Sequence, residues 1–481
     1  MLRRIPRPLA LLLAVAALLS LAWTFTTTPF QGPDEPAHFN YTQHLVETGH
    51  KPSPDTGTMP DSSQVANALF FFNLDQLAGV ADARPAWSRL EERRFDGILE
   101  EIGEAGEEDG AGPNPMAKNP PLYYAYQAPF YATGSLGSFW DRLVLMRLAS
   151  GLLLLATVTL TWLAAAEVFR ATWPRALAAG CVALLPQLTS LSGTINADNL
   201  LITAWTGFIW MGLRLVRRGP SAGRILALGG FAAASMLTHG RGVAIALPLL
   251  AVVALAVLRA RPSLGQAVRW LGPSVLLLAL ALGAYVLLLA PGSGAYGGEI
   301  KLGGPTSSLS LKGFFNVTWQ FYFPELPFME TRIGPEYGYK QVFIETFFGR
   351  FATLEVAYPL DVYALLQGVC AVGLAGLVAA VAGRWAAVRA RWPEVAVLVV
   401  TTVSLLGLLH AASYRALVFT FDPLITGRYL LPIVAVAAIA VAFVLTSLRP
   451  RTSVLLGSIV LSGLLALNLA GLLLTLTRFY G

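Results

Sequence analysis

Long uninterrupted runs of Leu, Ala and Val, broken by short arginine-bearing segments and by two much longer polar stretches, set the character of this chain. Crossing about 30 Å of hydrocarbon takes roughly 20 helical residues. Runs near that length occupy 8–28, 143–168, 176–193, 200–216, 224–238, 242–258, 270–290, 360–383, 395–412, 428–446 and 454–476. They predict an all-α polytopic membrane protein with about eleven spanning helices in one transmembrane domain over 1–481. The runs 224–238 and 242–258 are short, so a small tilt, a locally thinned bilayer or one re-entrant hairpin is expected there.

Composition agrees with that pattern: 55% of residues are hydrophobic and 13% charged, too little polar surface for a soluble globule. Arginines recur at alternate run ends, at Arg3, Arg4 and Arg7, Arg170 and Arg175, Arg214, Arg217, Arg218 and Arg224, Arg259, Arg261 and Arg269, Arg384, Arg389 and Arg391, and Arg449 and Arg451. The positive-inside rule assigns these ends to the cytoplasm. Independently, 17 of the 28 acidic residues fall in 29–141 and seven more in 299–361, with all five lysines in the same two segments. Segments 29–141 and 291–359 are therefore expected on the external side of a multi-pass membrane protein. The formal charge of +6 then reflects membrane topology and not nucleic-acid binding. Ala14-Val15-Ala16 could serve a signal peptidase, but the apolar run continues to Phe25, which favours an uncleaved first span. Cys181 and Cys370 lie in separate runs and carry no disulfide or thiolate-metal spacing.

Within the first external segment, Pro36 can begin a helix over 36–48 and Gly49 can end it. Residues 49–118 are polar, and the acidic run within them from Glu100 to Asp109 reads as a solvated or mobile loop. Asn119-Pro120-Pro121-Leu122-Tyr123-Tyr124 starts another helix, whose tyrosines suit the headgroup layer or a surface for docking a carrier. The second external segment opens with glycines and continues through Phe314–Phe323 to Arg350-Phe351, an aromatic composition that also suits the bilayer surface.

The span interiors hold almost no acid or base: Glu167 and Glu394 mark cytoplasmic ends, Asp198 and Asp422 external ones. A transporter coupled to ions would be expected to keep charges near the midplane. Chemistry is expected instead at the outer face, where topology gathers the adjacent acids Asp34 and Glu35, the Asn196-Ala197-Asp198 turn, the cations Arg332, Lys340 and Arg350, and Arg428-Tyr429. Arginines beside lipid suggest a phosphate, which the planar guanidinium binds through paired hydrogen bonds. Asp34 can act as a base or cap a helix, Asn196 and Asp198 can cap a helix or contact substrate, and Arg428 can bind phosphate or snorkel to water. His38, His239 and Arg241 are weaker candidates.

The motifs Pro33-Asp34-Glu35-Pro36-x-His38-Phe39, Asn119-Pro120-Pro121-Leu122-Tyr123-Tyr124, Ile195-Asn196-x-Asp198 and Gly427-Arg428-Tyr429-Leu430-x-Pro432 resemble the GT-C superfamily of integral-membrane glycosyltransferases. Among its members they look most like a branch of predicted bacterial membrane proteins related to glycosyltransferase family 39, which includes protein O-mannosyltransferases and the aminoarabinose transferase of lipid A. The resemblance implies a polyprenyl-phosphate sugar donor, an envelope glycan, lipid or protein as acceptor, and inversion at the anomeric carbon. It assigns the base to Asp34, with Glu35 as orienting partner or alternative base. Arg428, Arg350, Lys340 and Arg332 are then the expected phosphate ligands. His38, Asn119, Tyr123, Tyr124, Asn196, Asp198 and Tyr429 are expected to line or support the site.

Asn119 stands where the family often has histidine before the proline pair. With no soluble domain after the last run, acceptor recognition is expected to fall to the two external segments. The motifs name no certain cofactor and leave a divalent cation open, for which Asp34, Glu35 and Asp198 offer hard oxygen ligands. Competing readings are an O-antigen ligase or polymerase using a lipid diphosphate-linked glycan, and a lipid flippase or transporter.

Overall fold

The computed structural model describes residues 5–52, 62–77, 80, 82–102, 114–289, 309–329, 339–420 and 426–481. The chain enters as α1 (Arg7–Thr26), then forms a polar-end cap of α2 (Glu35–Thr48), α3 (Ser63–Phe71), α4 (Arg89–Ile102) and α5 (Leu122–Gly134). The apolar bundle follows as α6 (Phe139–Val168), α7 (Thr172–Ala183), α8 (Pro186–Ser192), α9 (Asp198–Arg218), α10 (Ala222–Met236), α11 (Ala246–Ala260) and α12 (Leu264–Leu289). A second cap contains α13 (Leu311–Tyr322), α14 (Tyr339–Phe348) and a two-residue antiparallel hairpin, β1 (Arg350–Phe351) with β2 (Val356–Ala357). The chain closes with α15 (Leu360–Gly383), α16 (Trp385–Ala390), α17 (Trp392–Thr420), α18 (Val434–Leu445) and α19 (Pro450–Tyr480).

Every apolar run is helical, and nine segments among the described residues are long and apolar enough to span a bilayer. The run 176–193 is instead split at Pro186, the first residue of α8, because proline cannot donate the backbone bond that would continue α7. Of the two short runs, α10 keeps 15 residues, whereas a 3₁₀ turn over Gly240–Ile245 lengthens α11 into a 21-residue segment. Helix α9 is the centre of the bundle, with 83% of its apolar stretch buried against 6% for α12, which packs on α10 along one face and leaves the rest of its surface open.

Arginines tie down both ends of the bundle. At one end Arg214, Arg217 and Arg218 meet Glu167, Arg391 donates to the Val168 carbonyl and Arg384 to that of Thr446. At the other, Arg478 near the end of α19 donates to the carbonyls of Leu77, Val80 and Ala83 and pairs with Glu355.

Helices α3 and α4 lie within the polar stretch 49–118, and the loop expected over the acidic run requires correction at its start. Phe72, Phe95, Trp87, Phe139 and Trp140 form an edge-to-face cluster that supplies their burial, with Phe72 and Trp87 centroids 4.6 Å apart. Glu100 and Glu101 belong to α4, and the rest of the acidic run lies outside the described residues. The tyrosines of α5 are a second correction. Tyr123 and Tyr124 point into the protein and are fully buried, because buried polar partners take up both hydroxyls.

Asn468 of α19 is fully buried and joins three helices: it accepts from Trp23 Nε1 at 2.8 Å and donates to Thr189 Oγ1 at 2.6 Å. Inside an apolar bundle such a side chain holds helices together because its polar atoms have no water to turn to. Replacing Asn468 with Leu, of similar volume, strands the Trp23 donor, and the expected loss is about 1–2 kcal/mol. Thermal unfolding in detergent measures it; an unchanged midpoint would remove Asn468 from this role.

Candidate active site

The site begins where α1 ends and its last carbonyls lack helical partners. Arg147, buried near the start of α6, donates to the carbonyls of Thr24, Thr27 and Thr28. The same guanidinium grips Glu35 bidentately, Nε to Oε1 at 2.8 Å and Nη2 to Oε2 at 2.6 Å. Glu35 also accepts from the backbone N–H of Gly32 and, at 3.0 Å, from that of Ile195. A fully buried carboxylate with this many donors is committed to holding α1, α2, α6 and the turn before α9 together. Both oxygens of Glu35 are thus engaged and neither faces open space, which speaks against the alternative-base role expected for it.

That clamp sets the backbone of its neighbour. Asp34 stands before α2 with φ 57, a left-handed conformation that a non-glycine residue adopts at a cost, and its side chain makes no capping bond. The Pro33 carbonyl is held by Asn196 Nδ2 at 2.9 Å, while Asn196 Oδ1 accepts the Asp198 N–H. The Asp34 carboxylate is therefore presented outward, with its side chain 52% exposed.

Facing it is Arg428, in a 3₁₀ turn over Gly427–Ile433 that leads into α18. The turn lies so close beneath α14 that a Cβ on Gly427 would sit 2.0 Å from the Phe343 carbonyl oxygen, so glycine is needed there. Arg428 is 12% exposed and stands 3.7 Å from Asp34 Oδ2 and 3.5 Å from Asp198 Oδ2. Asp198 opens α9 and also receives Arg241 from the turn before α11. The Arg241 guanidinium stacks on the Tyr429 ring at 3.8 Å, and that of Arg428 lies 5.6 Å from the same ring. Two arginines thus share one carboxylate and one aromatic face.

A polar wall flanks this cluster. His38 Nδ1 meets the Tyr124 hydroxyl at 2.9 Å, Asn119 Nδ2 donates to that hydroxyl at 3.2 Å, and Tyr41 stacks on the Tyr124 ring at 3.5 Å. The Tyr123 hydroxyl accepts the Asn196 N–H and lies 3.0 Å from Ser150 Oγ. Burial pushes the His38 pKa down to about 4, although Asp34 opposes the shift. His239 is lowered well below its usual range by burial and by Arg241. Both imidazoles are neutral near pH 7.

Of the residues expected to meet, the fold gathers Asp34, His38, Asp198, Arg428 and Tyr429, with Asn119, Tyr123, Tyr124 and Asn196 behind them. Arg350 is elsewhere engaged: Nη1 donates to Glu345 at 2.7 Å and Nε to the Leu354 carbonyl, which fixes the β1–β2 turn. Arg332 and the side chain of Lys340 lie outside the described residues. The donor set proposed for a cation does not fit one, because Arg147 occupies Glu35 and two arginines neutralise Asp198. Among the described residues no cluster of three His, Cys, Asp or Glu could hold a metal. Sequence reading overlooked Arg147 and ranked Arg241 low. The signal for Arg147 was present: an arginine inside an apolar run is costly without a partner.

Comparison with known proteins adds the following. No curated protein matches the chain. Among solved structures, ArnT from Cupriavidus metallidurans bound to undecaprenyl phosphate is similar at 14% identity and TM-score 0.48, over 92% of this chain and 61% of that one. The archaeal oligosaccharyltransferase AglB from Archaeoglobus fulgidus, in complex with an inhibitory peptide and a dolichol-phosphate, is similar at 13% identity and TM-score 0.49, over 98% of this chain and 56% of that one. The chain therefore spans about 60% of the length of the solved proteins it resembles. The family model described as "Predicted membrane protein (DUF2142)" matches residues 17–437, and the chain belongs to that family.

Proposed function

We propose that this protein is a GT-C-type glycosyltransferase that moves a sugar from a polyprenyl-phosphate donor to an envelope acceptor at the outer face of the cytoplasmic membrane. The observation that carries the reading is the half-exposed Asp34 carboxylate, held in a left-handed turn, facing the buried Arg428 guanidinium at 3.7 Å. In this reaction Asp34 removes the proton of the acceptor hydroxyl as its oxygen bonds to the anomeric carbon. The bond from that carbon to the phosphate oxygen breaks, its electron pair leaves on the phosphate, and configuration inverts. Arg428 and Arg241 offset the charge that gathers there. Phosphate is a good leaving group, so no second carboxylic acid is needed to protonate it, and the commitment of Glu35 to Arg147 costs the chemistry nothing. A sugar between Asp34 and Arg428 requires the pair to part; Asp34, exposed and uncapped, is the member free to rotate.

Local charge favours one phosphate over two. Arg241 and Arg428 against Asp198 and Asp34 leave no net charge, and the neutral His38 and His239 add none. A phosphodiester would add one negative charge to that cluster, whereas the diphosphate-linked glycan of a ligase or polymerase would add two.

The adjacent acids separate by experiment. Asp34→Asn is expected to leave a folded protein whose transfer is reduced about 10²–10⁴-fold. Glu35→Gln strands a buried arginine and should cost about 3–5 kcal/mol of stability. Glycan mass spectrometry of envelopes, beside recovery of folded protein, reads both; full transfer by Asp34→Asn would sink the assignment.

A pH series tests the buried imidazole. His38 binds its proton more weakly folded than unfolded, so stability falls as pH drops from 6.5 towards 4, by on the order of 3 kcal/mol across that window. His38→Asn should flatten the fall but leave a remainder, because His239 shifts in the same direction. Thermal unfolding between pH 7 and about pH 4 checks this; identical slopes would place His38 outside the titration.

A further inference from the structure

Away from the Asp34 face, the opposite end of the bundle concentrates guanidinium groups on one point, the C-terminus of α6. Glu167, with its side chain 3% exposed, is met there by three arginines from the end of α9. Arg218 Nη2 lies 3.0 Å from Oε1, Arg214 Nη1 3.3 Å from Oε1, and Arg217 Nη1 3.7 Å from Oε2. Arg217 also donates to the Glu167 carbonyl. Further cations converge on the same carbonyls and their neighbours. Arg391, just before α17, donates to the Val168 carbonyl at 2.6 Å, and Arg175 of α7 donates to that of Phe169 at 2.9 Å. Arg224 of α10 donates to the carbonyls of Arg218 and Gly219, which brings its charge beside the cluster.

Positive charge at the cytoplasmic end of a membrane protein needs no special explanation when it is scattered. Here it is collected. One carboxylate cannot neutralise three guanidinium groups, and the backbone carbonyls that hold the others carry only partial charge. Side chains of Arg214, Arg217 and Arg218 remain 33%, 32% and 48% exposed, so N–H donors not spent on Glu167 are available to an outside acceptor. The helix C-terminus explains why cations gather, through its dipole, yet supplies only about half a charge.

We propose that this cluster is a binding site for the phosphate of an anionic phospholipid in the adjacent leaflet. Arg217 and Arg218 grip the phosphodiester oxygens and Glu167 holds their guanidinium planes in place. The site's position at the ends of spanning helices commits it to lipid. Leu226, on α10 just past Arg224, is exposed and offers an apolar wall for acyl chains below a headgroup at the cluster. Trp392, one residue from Arg391, is exposed and carries Arg259 over its ring at 5.8 Å, a pairing that suits the headgroup layer. The proposal concerns the end of the bundle remote from Asp34 and does not depend on the reaction assigned there.

Native mass spectrometry of the full-length protein, released from detergent after incubation with equal amounts of phosphatidylglycerol and phosphatidylcholine, tests it. The wild type is expected to retain phosphatidylglycerol over phosphatidylcholine by roughly tenfold or more. Arg217→Gln with Arg218→Gln should bring the two lipids to parity. Arg218→Gln alone, at the most exposed member, serves if the double variant does not fold, and should lose several-fold. A control pair, Arg449→Gln with Arg451→Gln, removes two exposed arginines at the same end but outside the cluster and should leave the preference intact. Equal loss in the control pair would mean diffuse attraction and overturn the site, as would an unchanged preference in the cluster variants. Displacement of phosphatidylglycerol by millimolar inorganic phosphate would overturn the assignment to lipid in favour of a free anion.

Discussion

The buried pair of Glu35 and Arg147 is the constraint on which the Asp34 end of the bundle depends. Arg147 satisfies the open carbonyls at the end of α1 and, through Glu35, fixes the start of α2 and the turn before α9. Burying two charges is repaid only when nearly every donor and acceptor finds a partner, and this pair meets that condition. The residue before Glu35, Asp34, stands in a left-handed turn. The structural acid and the exposed acid are thus one unit: the first is sacrificed to packing so that the second can be aimed.

Arginine recurs in three settings, and burial decides what each does. Arg147 is enclosed and fully engaged, so it is architecture. Arg428 and Arg241 are mostly buried around Tyr429 and share Asp198, which leaves them charged, oriented and incompletely satisfied, the state in which a guanidinium accepts an incoming anion. Arg217 and Arg218 at the opposite end are a third to a half exposed and crowd one carboxylate. The same residue type accordingly carries opposite consequences at the two ends of the bundle, and counting arginines would not have separated them.

Much of the candidate site was legible because its motifs place polar residues where an apolar chain gains nothing from them. Asp34, Asp198 and Arg428 stand at run ends and do converge. What misled the sequence reading was local context. Tyr123 and Tyr124 have a composition that suits an interface, yet lie in the core because Ser150 and His38 supply partners from distant positions and Asn119 one from just before the helix. Arg350 beside an aromatic helix looks available until Glu345, five residues earlier, is seen to hold it. The polar stretch over 49–118 hides α3 and α4, since their few aromatic anchors gain burial only against Phe139 and Trp140 of α6.

Hydrophobic run length and the alternation of arginines by themselves determined that the chain is a helical membrane protein and which run ends lie together. Those features follow from the thickness and charge preference of a bilayer, which act on each segment separately. Tertiary structure alone decided which of two adjacent carboxylates is free. That choice rests on Arg147, more than a hundred residues away, and on N–H groups beyond it, and no spacing along the chain encodes contacts that only packed helices create.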